Sequence, residues 1–155
     1  MKKILPAILL FFCQMANSQV TDTTFRNSSL RNEILKMDSL FFVVGFNHCD
    51  TSIYKNILSD SMEFYDDREG LNLSKANEIK YLLEKCSGKY NMTRVLKSTT
   101  ISRLGDYGAL QRGEHDFVQN GIIIGSGKFI HIWEKTSQGW KLKRIVSYDH
   151  VSTGK

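Results

Sequence analysis

The chain has 155 residues, a formal net charge of +5, and 41% hydrophobic against 24% charged residues. That length suits one domain with a buried core and leaves no room for two of ordinary size. Its Lys and Arg residues are interspersed with Asp and Glu, which argues against a nucleic-acid binder with a basic face and aromatic platforms.

The stretch Met1–Ser18 has the parts of a bacterial-type secretory signal: Lys2 and Lys3, an apolar run from Ile4 to Phe12, and small residues at Ala16 and Ser18. The run falls well short of the roughly 20 residues needed to cross a bilayer as a helix, so no integral span is expected. Export to the periplasm or beyond follows from this reading, with residues 19–27 as a flexible leader and 28–152 as the folded domain. An oxidising destination permits Cys49 and Cys86 to form a disulfide; two buried free thiols are the alternative.

The first helix is predicted from Ser28 to Asn47, because Leu30, Ile34, Met37, Phe41 and Val44 recur at three- and four-residue steps while Arg31, Lys36 and Asp38 fall off that stripe. Asp50 or Thr51 caps a short second helix carrying Ile53, Ile57 and Leu58. A short strand follows at Met62–Asp66, and Arg68-Glu69-Gly70 turns the chain. Ser74 caps a third helix with Ile79, Leu82, Leu83 and Cys86 on its inner face, and Gly88 stops it.

Beyond Gly88 the periodicity becomes that of strands, predicted at Tyr90–Leu96, Thr99–Leu104, Ala109–Val118, Lys128–Lys135 and Trp140–His150. Turn signals separate the last four, among them a connection at Asn120–Gly127. Helices first and an antiparallel sheet last make an α+β domain with three helices packed on one sheet face.

No phosphate-cradling glycine loop, Cys-x-x-Cys pair, His-Glu-x-x-His or Gly-x-Ser-x-Gly motif is present, so no cofactor is expected. Strand alternation points His115 inward, opposite the wet face of Arg112, Glu114 and Asp116. The same reasoning gathers Phe129, His131 and Trp133 on one face of the next strand. On the last strand it points Tyr148 and His150 inward with Trp140, Leu142, Arg144 and Val146. If these faces coincide, they make an apolar pocket wall with a few convergent polar groups, the usual make-up of a ligand site. Phe64 and Asp66 share a face of the short strand, so Asp66 could reach the same cavity and act as a general base; a solvated turn residue is the alternative. His115, His131 and His150 are also candidate ligands for a divalent metal.

Several segments together carry a resemblance: Phe46-Asn47-His48-Cys49-Asp50, Glu63-Phe64-Tyr65-Asp66-Asp67, Tyr107-Gly108-Ala109-Leu110-Gln111 with His115, Phe129-Ile130-His131-Ile132-Trp133, and Ser147-Tyr148-Asp149-His150. They resemble the nuclear transport factor 2-like superfamily, which includes SnoaL-like cyclases and ketosteroid isomerase, and within it a secreted branch carrying a domain of unknown function. The resemblance implies a cone-shaped fold with a curved, mainly antiparallel sheet. It places Asp66 where the isomerase has its proton-abstracting carboxylate and His131 where a protonated acid supports the oxyanion. Phe41, Phe42 and Phe46 stand where the isomerase has a tyrosine.

The expectation is thus an exported domain whose conical pocket binds a small, partly apolar molecule. The alternative is an acid-base enzyme using Asp66 with His131 or His115. Pairing of two copies through an outer sheet face, with Ile130 and Ile132 pointing outward, is a further expectation.

Overall fold

A computed structural model describes residues 15–89 and 91–153, with side chains described from residue 27 onward except that of Tyr90. Most of the predicted signal segment lies outside the described residues. The first helix, α1 (Met15–Asp38), continues into π-helical turns over Ser39–Asn47. The leader expected at 19–27 is therefore helical backbone. No Gly or Pro interrupts the chain between Met15 and Val44, so nothing in this polar stretch stops the helix from extending N-terminally.

Leu30, Ile34 and Phe41 are buried as the stripe requires. Asp38, expected off the stripe, is buried as well. It stands four residues after Ile34 and so shares that face. The wider π turns then bring Gly45 and Phe46 into the interior in place of Val44, which is half-buried.

The Asp50 carboxylate accepts from the Ser52 and Ile53 amides at 3.1 and 3.0 Å, opening α2 (Thr51–Ile57). Leu58, expected in that helix, begins β1 (Leu58–Asp66) instead. A tight turn leads to β2 (Gly70–Asn72), a strand where only a turn was expected. Ser74 caps α3 (Lys75–Glu84) by accepting from the Asn77 amide. The inner face of α3 is Glu78 and Leu82, continued by Lys85, whereas Leu83 is 52% exposed. This helix is rolled from the predicted orientation because Glu78 and Lys85 find partners inside. Glu78 accepts from Tyr54, and the Lys85 ammonium donates to the Phe46 carbonyl at 2.8 Å. A disulfide joins Cys49 to Cys86, with the Cα atoms 5.8 Å apart, and ties the end of the π turns to the end of α3.

Four long strands complete the domain: β3 (Thr93–Leu104), β4 (Gly108–Gln119), β5 (Ile122–Thr136) and β6 (Gly139–Ser152). The two strands predicted before Leu104 are one, with a register irregularity between Leu96 and Ser98 at the predicted break. β5 starts six residues earlier than Lys128, because the turn is only Asn120-Gly121, both at positive φ (52° and 78°). Two consecutive positive φ values are the two-residue hairpin that Asn-Gly favours.

The sheet order is β2-β1-β6-β5-β4-β3, antiparallel except where β1 runs parallel to β6. The helices pack on one face of this six-stranded sheet, α1 against β3 and β4 and α2 and α3 against β1. The resulting core includes Ile34, Phe41, Leu58, Met62, Leu82, Trp133 and Leu142. This is the α+β architecture expected, three helices on a curved and mainly antiparallel sheet.

Candidate functional site

A cavity of about 480 Å³ opens between the inner sheet face and the helices. Aromatic rings from the π turns (Phe41, Phe42, Phe46) and from α2 (Tyr54) form one side, and the strands supply Phe64, Asp66, Arg94, His115, His131, Ser147 and His150. His115 points inward as alternation requires, and His131, on a strand apolar on both faces, points inward too; both are buried. Phe129 and Trp133 share their face but lie wholly buried beneath the wall.

Tyr148 does not reach the cavity. Trp133 is paired with Leu142 and Ile132 with Arg144, so Lys143 is the extra residue of a β-bulge. One added residue reverses the alternation. Ile145 and Ser147 therefore face the cavity, while Arg144, Val146 and Tyr148 turn to the outer face with Ile130 and Ile132.

A second irregularity restores His150 to the inside. Lys128 pairs with Tyr148 and Ser126 with Val151, leaving Asp149 and His150 opposite Gly127, and Asp149 adopts φ 53°. Gly127 makes room for the ring: a Cβ there would stand 2.7 Å from His150 Cδ2 and 3.2 Å from His115 Nε2. Thus Ser147 and His150, three apart in sequence, share one face. The Ser147 hydroxyl lies 3.0 Å from His150 Nε2, and His150 Nδ1 bonds to the Asp67 carboxylate. Asp67 also accepts from the His150 backbone amide at 3.1 Å. The His150 ring, and after it the His150 amide, hold the Asp67 carboxyl below the usual carboxylate range.

The floor is a buried polar network centred on Arg94. Its Nη1 donates to Asp38 at 2.8 Å and its Nε to His115 Nδ1 at 3.3 Å, while the guanidinium lies 3.9 Å over the Phe42 ring. Asp38 also accepts from Gln111 at 3.0 Å, and the Gln111 carbonyl accepts from the Trp133 indole at 2.8 Å and meets His131 Nδ1 at 3.3 Å. Burial and then the Arg94 charge press both histidines toward the neutral form; His115 falls to about 3. Because Arg94 donates to Nδ1 of a neutral His115, the ring proton sits on Nε2. Among the described residues neither that Nε2 nor Arg94 Nη2 meets an acceptor, and both are closed to solvent.

On the opposite wall, Glu78 accepts from the Tyr54 hydroxyl at 2.8 Å and from Asn72 at 3.3 Å. Burial outweighs these bonds and raises its carboxyl above the ordinary value. Asp66 sits half-buried at the mouth, where one oxygen accepts from the Arg68 and Glu69 amides at 2.8 and 3.1 Å. It therefore holds the β1–β2 turn while facing the cavity. The three strand histidines do not make a common metal donor set. Among the described residues the donor atoms that cluster, within 4.8 Å of one another, belong to Asp66, Asp67 and His150.

Sequence reasoning did not single out Arg94, Asp38, Glu78, Asp67 or Ser147. Arg94 alternates with Met92 and Leu96, and a lone cation between apolar residues on one strand face was a usable signal. No comparable signal marked Ser147, because the bulge at Lys143 cannot be read from alternation. Among the described residues no helix is long and apolar enough to cross a membrane.

No protein-family model matches the chain, and no curated protein matches it. Solved structures do. A candidate scytalone dehydratase from Novosphingobium aromaticivorans is 13% identical with a TM-score of 0.67, covering 85% of this chain and 93% of that one. A protein from the same organism, described as nuclear transport factor 2-like with a cystatin-like fold, is 12% identical with a TM-score of 0.62, covering 88% and 90%. A nuclear transport factor 2-like protein of unknown function from Shewanella oneidensis is 15% identical with a TM-score of 0.61, covering 77% and 98%. Identities this low speak to architecture alone, and on that ground the chain has the nuclear transport factor 2-like, cystatin-like α+β fold.

Proposed function

We propose that this chain is an exported domain that binds a small, partly apolar molecule carrying a carbonyl or carboxylate oxygen. The observation that carries the reading is an aromatic cavity whose floor holds two buried donors, Arg94 Nη2 and His115 Nε2, without acceptors among the described residues. A buried donor left without a partner costs about 1–3 kcal/mol, which a ligand oxygen would recover. Both atoms are covered, so engaging them takes a small rotation of the side chains. The volume suits one ring or a short chain, within the ordinary range of small-molecule sites.

Export rests on the Met1–Ser18 pattern and agrees with the Cys49–Cys86 disulfide, since such bonds persist in oxidising compartments. Pairing of two copies through the outer face of Ile130, Ile132 and Val146 belongs to the same proposal.

A thermal-shift panel of small aromatic and aliphatic carboxylates, ketones and their alcohol counterparts tests the binding. Carboxylates or ketones should raise the melting temperature of the wild type, alcohols should do so less, and Arg94→Met should erase the difference. Equal response to all three classes, or none, would overturn the reading.

A further inference from the structure

We propose that Ser147, His150 and Asp67 form a nucleophilic relay that hydrolyses a small carboxylic ester held in the cavity. The inference rests on the binding reading above and adds a reaction to it.

The relay has the connectivity that activates a serine. Ser147 Oγ and His150 Nε2 are 3.0 Å apart, within reach for proton transfer, and His150 Nδ1 is bonded to Asp67. Ser147 and His150 both line the cavity. The strand departs from its regular course to achieve this: in plain alternation Ser147 and His150 would face opposite sides. The left-handed turn at Asp149 and the missing side chain of Gly127 bring the two onto one face. A non-glycine residue at positive φ and a bulge are local costs, and such costs gather at sites that re-aim a side chain. The backbone fixes the third member too, since the Asp67 amide donates to the Ser147 carbonyl at 3.1 Å and the His150 amide to the Asp67 carboxylate at 3.1 Å. His115 Nε2 lies on the same wall, near the position that a Gly127 Cβ would take, which is 3.1 Å from His150 Nε2 and 3.2 Å from His115 Nε2. After the small rotation that ligand binding requires of them, it and the Arg94 guanidinium supply hydrogen-bond donors for an oxyanion.

The steps balance. Ser147 Oγ attacks the acyl carbon, its proton passes to His150 Nε2, and the Oγ–C bond forms. The C–O bond to the leaving alcohol then breaks as His150 returns the proton to that oxygen. Water attacks the acyl carbon and gives a proton to His150; the Oγ–C bond then breaks as His150 returns that proton to Ser147 Oγ, and the carboxylic acid leaves. Asp67 is a positioning residue that acts through His150.

The test uses the full chain, p-nitrophenyl acetate and butyrate as substrates, and a fluorophosphonate that phosphonylates activated serines with loss of fluoride. Ester turnover above buffer is expected, together with a single phosphonyl adduct that peptide mass spectrometry places on Ser147. Ser147→Ala should abolish both while keeping the wild-type melting temperature. Asp67→Asn should lower kcat at least a hundredfold with KM within twofold. Thermal shifts by carboxylates without turnover or labelling would overturn the relay and leave the binding reading standing. An adduct on another residue, or turnover that survives Ser147→Ala, would overturn it as well. Where Ser147→Ala loses its fold, Ser147→Cys decides by whether labelling moves to the thiol or disappears.

Discussion

Removing the Asp38 carboxylate should be among the most damaging single changes to the floor of the cavity. Asp38 Oδ2 accepts from Arg94 Nη1 at 2.8 Å and Oδ1 from Gln111 Nε2 at 3.0 Å, and both side chains of the ion pair are almost wholly buried, at 2% and 4% exposure. In Asp38→Ala the guanidinium keeps only His115 as a hydrogen-bond partner, since Nη2 has no acceptor to begin with. Breaking a buried pair from one side costs about 3–5 kcal/mol, and stranding the Gln111 amide adds roughly 1 kcal/mol. A domain whose whole stability is about 5–15 kcal/mol would lose much of it. Urea denaturation followed by circular dichroism, with the disulfide intact, measures the cost. The double variant Asp38→Leu with Arg94→Met should recover most of the loss, because it removes the stranded charge along with its partner. A cost below about 1 kcal/mol for Asp38→Ala would refute the reasoning, since a buried guanidinium without a counterion cannot be so cheap.

Acid should destabilise the fold through the buried histidines. His115 is held at about 3 against an ordinary 6.5, chiefly by burial and then by Arg94, and His131 is lowered by the same causes. A depressed folded-state pKa means that the unfolded chain takes the proton first. The stability is therefore whole above pH 6.5 and is lost as pH falls toward 3. His115 alone should account for roughly 2 kcal/mol between pH 6.5 and 4.5, and His115→Gln should flatten the profile by that amount in urea titrations at several pH values. An unchanged slope would show that the ring is not held neutral. Replacing both Cys49 and Cys86 with Ser opens a loop of 37 residues and should cost about 4 kcal/mol in denaturant. A loss under about 1 kcal/mol would remove the bridge as a main support of the fold.

How far the site was legible depends on which device placed each residue. The inward direction of His115 follows from alternation against a charged face, and the sequence shows it; His131 lies on a strand apolar on both faces, so alternation groups it with Phe129 and Trp133 without saying which side is inward. Tyr148 was misplaced, because the extra residue at Lys143 reverses every position that follows it. The same bulge concealed Ser147, which simple alternation puts with Lys141 and Lys143. Asp149, with its left-handed backbone, then returns His150 to the face expected of it, so that expectation holds although the path to it does not. Asp38 is expected off the apolar stripe of its helix, and Glu78 is not singled out by periodicity. Their burial depends on Tyr54, Arg94 and Gln111, partners that lie 24 to 73 residues away along the chain. Such pairings are settled by tertiary contact and leave little trace in local periodicity.

The most direct measurement of the central claim is a nitrogen-15 NMR titration of the backbone amide, imidazole and guanidinium groups with benzoate. The expected result is saturable change at the Arg94 Nη and His115 Nε2 signals, with the outer-face residues Val146 and Tyr148 unmoved and Arg94→Met abolishing the response. Saturable binding confined to the outer face, or no change at Arg94 and His115 with benzoate or any ligand that raises the melting temperature, would contradict it.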